Sequence, residues 1–238
     1  MKNITLSIFS IVLILSCTDE NTKDYNNVEI DKKTEIKKRS DSIQTDENTY
    51  DPISFIDSLQ INKKTFIAFQ SQSSIIVTNE IDTSFCFIQN NNGAEFKDFN
   101  RDGFLDIIVH YITNVPGIYD LALFDQKTEK FKLVQNFDAF PSPEKIKNSN
   151  YYYSYHRSGC ADANWDSDLF KIENYKAIRL GNIQGLGCES EEKNGIFIHL
   201  VKKEELIQIE KYKREPNYYN DKWDFIKNYW TKNYRKFI

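Results

Sequence analysis

The sequence predicts a mostly β protein, an antiparallel sandwich or an array of propeller-like sheets, with a calcium loop and a C-terminal amphipathic helix. Three observations lead there. Short apolar runs recur along the chain with turns every ten or so residues. One of those turns, Asp98-Phe99-Asn100-Arg101-Asp102-Gly103-Phe104-Leu105-Asp106, carries oxygen-bearing side chains at alternate positions and runs straight into Ile107-Ile108-Val109. From Asp221 onward the apolar residues recur at three- and four-residue steps.

The chain opens on Met1-Lys2-Asn3, a short basic start, followed by an apolar core from Ile4 to Leu15 that is too short to span a bilayer. It ends in Ile14-Leu15-Ser16-Cys17, which resembles a bacterial lipobox: residues 1–16 are expected to be a lipoprotein signal peptide, and Cys17 the acylated membrane anchor. Several acyl chains on one cysteine give stable insertion. Thr18 is not the aspartate that holds enteric lipoproteins at the inner membrane, and Asp19-Glu20 resembles the surface-export signal of Bacteroidota lipoproteins. An outer-membrane lipoprotein of the cell envelope is therefore expected, with its periplasmic or surface face left open. Residues 17–50 are polar and charged without a sustained period, a tether that cannot bury enough surface to fold alone. Residues 51–238 are expected to form the folded part.

That part begins at Asp51-Pro52, which reads as an N-cap and first helical position, with Phe55 and Leu59 one turn apart, so a short helix is expected. Strand-like runs follow at Thr65 to Phe69, Ser74 to Thr78, Ser84 to Ile88, Leu105 to Tyr111, Tyr119 to Phe124 and Phe131 to Gln135. They continue at Asn150 to His156, Leu169 to Ile172, Ala177 to Leu180, Ile196 to Val201 and Leu206 to Tyr212. In the tail Trp223, Ile226, Trp230, Tyr234 and Phe237 share a helical face, with Lys222, Lys227, Lys232 and Lys236 expected on the surface. Packing on a sheet is the expected use of this helix, ahead of a membrane surface.

In the loop, Asp98, Asn100 and Asp102 can be aimed at one hard cation, Gly103 permits the sharp turn, Phe104 offers its carbonyl, and Asp106 stands at the ninth position. Position twelve is Val109, which cannot ligate, so this is not an EF-hand but a shorter variant in which Asp106 is expected to bind the cation directly or through water. Ca2+ is the expected cofactor, with a mainly structural role. Of the four cysteines, Cys160 and Cys188 lie in Gly-flanked polar loops and are expected to pair; Cys86, inside Phe85-Cys86-Phe87-Ile88, is expected to be a buried free thiol.

Net charge is −4, or −5 once Lys2 is removed, and the charges are mixed rather than blocked, so no nucleic-acid footprint is present. No nucleophile motif, zinc signature or phosphate loop appears, and His110, His156 and His199 are each expected on a strand rather than on a metal. The chain is therefore expected not to be an enzyme. The contact surface is sought in Tyr153, Tyr155, His156, Arg157, Ser158 and Gly159, with strand alternation leaving open whether the tyrosines are contact or core.

From Glu95 to Tyr212, with Phe96, Asp98 to Ile107, Tyr119 to Asp125, Phe131 and Phe137 to Phe140 in their places, the chain resembles bacterial envelope proteins with an FG-GAP-like or VCBS-like calcium loop. The resemblance includes immunity-type proteins of bacteria-killing secretion systems and extends in part to periplasmic inhibitors of invertebrate-type lysozyme. It implies a protein partner, a cell-wall hydrolase, met by a Ser-Gly loop such as Ser158-Gly159; Cys160 and Ala161 follow where the inhibitors place a tyrosine. The alternative is a surface lipoprotein that binds or processes glycans through Asp162, Asp166 and Asp168.

Overall fold

A computed structural model describes residues 53–71, 73–79, 82–89, 91–213 and 218–238. Cys17, the signal peptide and the tether lie outside the described residues.

Fifteen antiparallel strands form three sheets among the described residues. The first is a meander of β1 (Ser54–Ile61), β2 (Lys64–Gln70), β3 (Ser74–Thr78) and β4 (Thr83–Ile88). A second meander holds β5 (Ala94–Lys97), β6 (Asp106–His110), β7 (Tyr119–Asp125) and β8 (Lys130–Leu133). The third is built from β9 (Glu144–Lys145), β10 (Tyr151–Tyr153), β11 (His156–Gly159), β12 (Asn164–Glu173), β13 (Lys176–Leu186), β14 (Gly195–Lys202) and β15 (Glu205–Tyr212). Its order is β15-β14-β13-β12-β10-β9, with β11 paired beside β10 on β12. Helix α1 (Tyr218–Asn233) and a 3-10 turn at Tyr234–Phe237 close the chain.

Three apolar clusters join these layers in sequence. Phe66, Ile75, Val77 and Phe85 of the first sheet meet Ile107, Val109, Phe124 and Phe131 of the second. On the second sheet's other face Ile108, Leu121 and Leu123 meet Tyr152, Phe170 and Ala177 of the third. On the far face of the third, Trp165, Leu169, Ile183 and Ile198 receive Ile226, Trp230 and Phe237 from the C-terminal segment. The middle sheet is thus covered on both faces, which is why β6 and β7 read as unbroken apolar runs rather than alternating ones. The layers are stacked open sheets, and no closed barrel or propeller forms among the described residues.

Several expectations are corrected. Residues after Pro52 form strand β1 rather than a helix: Ser58↔Ile67 and Leu59↔Phe66 pair with β2, and cross-strand burial of Leu59 and Ile61 overrides the helical start signal. The run from Asn150 to His156 is two strands, broken where Ser154 donates to the Asp168 carbonyl and Tyr155 to the Pro141 carbonyl. Cys86 is disulfide-bonded, not a free thiol. Lys222 is buried, 2% exposed, while Trp223 on the predicted apolar face remains half exposed.

The helix docks as expected, and a glycine permits it. A Cβ at Gly181 would stand 2.5 Å from Phe237 Cδ1 and 3.2 Å from Trp230 Cη2, so the aromatic end of the chain lies directly on the β13 backbone. Trp230 Nε1 donates to Ser167 Oγ at 2.8 Å, satisfying the indole inside this contact. We expect Gly181→Val to lower stability by about 2 kcal/mol through overpacking, read as a reduced midpoint in urea unfolding, with Phe237→Ala in the same background recovering part of the loss.

Candidate functional site

The loop between β5 and β6 curls around its own side chains. Asp102 N donates to Asp98 Oδ1 at 3.0 Å and to Asn100 Oδ1 at 2.9 Å, Gly103 N to Asp98 Oδ2 at 3.1 Å, and Phe104 N to Asp102 Oδ1 at 2.9 Å. Arg101 and Gly103 take left-handed φ of 59° and 94°, which makes the curl. The side-chain oxygens of Asp98, Asn100 and Asp102 are thereby gathered at one turn, a donor set of the hard kind that suits calcium. Among the described residues no three of His, Cys, Asp and Glu come together as a metal-holding group, so a cation here would also draw on Asn100 Oδ1 and the Phe104 carbonyl.

Asp106, the first residue of β6, does something the spacing did not foretell. It is fully buried, and its carboxylate accepts the amides of Phe99 at 3.0 Å and of Phe124 at 3.0 Å, with Asn100 N at 3.5 Å. Burial pushes its pKa up to about 6 against those hydrogen bonds, with the Asp102 charge adding to the rise. The carboxylate thus ties the loop to β7. The other side of the loop reaches the third sheet: Phe99 stacks on Tyr152 with centroids 5.1 Å apart, and Lys145 Nζ donates to the Asn100 carbonyl.

The expected contact surface is divided by the structure. Tyr153 and Tyr155 are buried, with hydroxyls donating to Glu144 Oε2 at 2.5 Å and to Asp162, so these two rings belong to the core and not to a binding face. Alternation places both on the helix side of the sheet, where Tyr155 meets Trp165 and Trp223. Arg157, Ser158 and Gly159 are exposed on β11, and His156 is half-buried.

The turn that follows is held against its backbone preference. Gly159, Cys160, Ala161 and Asp162 have φ of 126°, 54°, 47° and 75°, three of them non-glycine residues in the left-handed region, each costing on the order of 1 kcal/mol. Two ties hold them. Cys160 is bonded to Cys188, Cα atoms 6.2 Å apart, as the Gly-flanked loops predicted. Asp162 Oδ2 pairs with the buried ammonium of Lys222 at 2.5 Å. Sequence reasoning missed this pair because Lys222 and Asp162 are far apart in the chain and both types are ordinarily solvated.

Burial pushes the Asp162 carboxyl up, but hydrogen bonds from Lys222 and Tyr155 outweigh it, leaving its pKa below the usual carboxylate value. A depressed folded-state pKa adds stability that is present above about pH 4, the unfolded value, and is lost as pH falls through the folded one. Asp162→Asn should therefore flatten the acid limb of the stability profile in urea titrations. Lys222→Met should cost about 3 kcal/mol, as breaking one side of a buried pair does, and the double variant should recover part of it.

No family model matches the chain, and no curated protein sequence matches it. Among solved structures it is similar to a Xanthomonas type IV secretion system related protein, with 14% identity and a TM-score of 0.41 over 66% of this chain and 87% of that one.

Proposed function

We propose that this chain is a protein of the bacterial cell envelope that acts by binding a protein partner, a cell-wall hydrolase, through the exposed turn at Arg157, Ser158 and Gly159. The observation that carries this reading is the turn itself: three consecutive left-handed non-glycine residues held by a disulfide and a buried ion pair, directly after an exposed Ser-Gly. A turn fixed in this way loses little conformational freedom on association, so more of its contact energy appears as affinity. The bonded cysteines support an oxidising compartment, in keeping with export. Calcium in this reading is structural: Asp98, Asn100, Asp102 and the Phe104 carbonyl hold it, and Asp106, through the Phe99 and Phe124 amides, keeps the loop in place to receive it.

Two experiments test the proposal. At ~1 mM calcium and a Kd near ~0.1 mM, binding to the folded state adds about 1.4 kcal/mol, which should appear as a rise in melting temperature reversed by chelator and absent in Asp98→Ala; an unchanged melting curve removes the cation from the account. The purified protein should also bind and inhibit a lysozyme or peptidoglycan hydrolase from a panel. Arg157→Ala should weaken that binding by about tenfold or more without altering the melting temperature. Silence across the panel, with retention on glycan arrays, would replace the hydrolase by a surface glycan.

A further inference from the structure

The face of the third sheet turned away from helix α1 carries a cluster that the binding turn does not use. Strand register creates it. His156 lies opposite Asp166, Asp168 opposite Asn182, and Asn182 opposite His199, so five polar side chains from β11, β12, β13 and β14 occupy two adjacent rows. The Asn182 amide nitrogen donates to Asp168 Oδ1 at 2.9 Å and to Asp166 Oδ1 at 3.3 Å, which joins the rows. His156 Nε2 stands 3.9 Å from Asp166 Oδ2.

The cluster has more acceptors than donors. Asn182 is 5% exposed and its nitrogen is committed to two carboxylates, so its Oδ1 is directed away from them, buried and without a hydrogen-bond partner. His156 Nδ1 and His199 Nδ1 are likewise buried and unpartnered. Asp168 Oδ2 has Arg179 Nη2 at 2.9 Å, an ion-pair contact without the alignment of a hydrogen bond. Buried acceptors left unmatched are costly, about 1–3 kcal/mol each, and mark places where a donor belongs. The protein's own Arg179 shows which chemistry the cluster accepts: a cation bearing N–H groups. Arg179 also lies over Phe140, 5.6 Å from the ring centroid, and lines a groove of about 720 Å³ between the Asn136–Phe140 segment and the β14–β15 hairpin. The Arg179 side chain against Asp168 is 41% exposed, and the Asp166 and His156 side chains are 14% and 27% exposed.

We infer that this cluster is a binding site for a primary ammonium group, with Asp166 and Asp168 supplying the charge and Asn182, His156 and His199 accepting its N–H bonds. The inference is independent of the hydrolase reading, which uses the other end of β11.

The test is a titration of the full chain with n-butylammonium, glucosamine and Nα-acetyl-lysine amide, followed through the imidazole NMR signals of His156 and His199. Tetramethylammonium, which has the charge but no N–H, and n-butanol, which has neither, are the controls. Saturable shifts of both imidazoles by a primary ammonium are expected, weakened about tenfold or more by Asp166→Asn and strengthened by Arg179→Ala. The preferred probe tells a free amine from an amino sugar and from a protein lysine. Should Asp166→Asn disturb folding, His199→Gln gives the same comparison. The inference is overturned by no saturable shift in either the parent protein or Arg179→Ala, by an equal response to tetramethylammonium, or by saturation with Zn2+ while the ammonium probes are silent.

Discussion

The buried carboxylate of Asp106 is the interaction on which the middle of the molecule depends. One oxygen accepts the Phe124 amide from β7 and the other the Phe99 amide from the loop, so a single side chain sets where β6 begins and how the preceding turn lies against it. An apolar residue there would leave two amides without acceptors, and a charged one without those amides would face the full cost of desolvation. From that point Phe99 can reach Tyr152, and the second and third sheets are joined through aromatic contacts between Phe99, Phe137, Tyr152 and Phe170. The acidic loop and the sheet packing are therefore one structure rather than a site placed on a finished scaffold.

The third sheet treats its two faces differently. The face toward α1 is apolar and aromatic, closed by Trp230 and Phe237 over Gly181. The opposite face is apolar at one end, where Phe170 stacks on Phe140 at 4.2 Å, and carries Asp168, Asn182 and His199 beyond it. Burial of Asp168 raises its carboxyl pKa, although Arg179, Asn182 and His156 act to lower it. Burial likewise lowers the pKa of the His199 imidazole, against the pull of Asp166. Polar groups kept in such surroundings are stabilised by one another only in part, which separates this face from the interior proper.

At the edge of the same sheet, strain and restraint are found together. Left-handed backbone at Cys160, Ala161 and Asp162 persists because a covalent bond holds one end and the Lys222 ammonium the other. Lys222 also lies 5.1 Å from the Tyr155 ring and 5.2 Å from that of Trp223, so the start of α1 and the turn restrain one another. The C-terminal helix is in this sense part of the turn's support as well as a cover for the core.

Local chemistry in the sequence determined much of this. Short apolar runs between turns located β2, β3, β4, β7, β14 and β15 closely, because strand length and turn residues are local properties of the chain. Three- and four-residue spacing located α1, and the glycine-flanked loops identified Cys160 and Cys188. What only tertiary structure decided were features whose partners lie far along the chain. Pairing with β2 made a strand of the residues after Pro52, and burial beneath α1 took Tyr153 and Tyr155 away from the surface. The carboxylate of Asp162 drew Lys222 inward across 60 positions, and strand register gathered His156, Asp166, Asp168, Asn182 and His199 on one face. A sequence states the period and the propensity of each segment, but hydrogen bonds and desolvation between distant segments are set only when the sheets have packed, and those decide which polar side chains end up buried together.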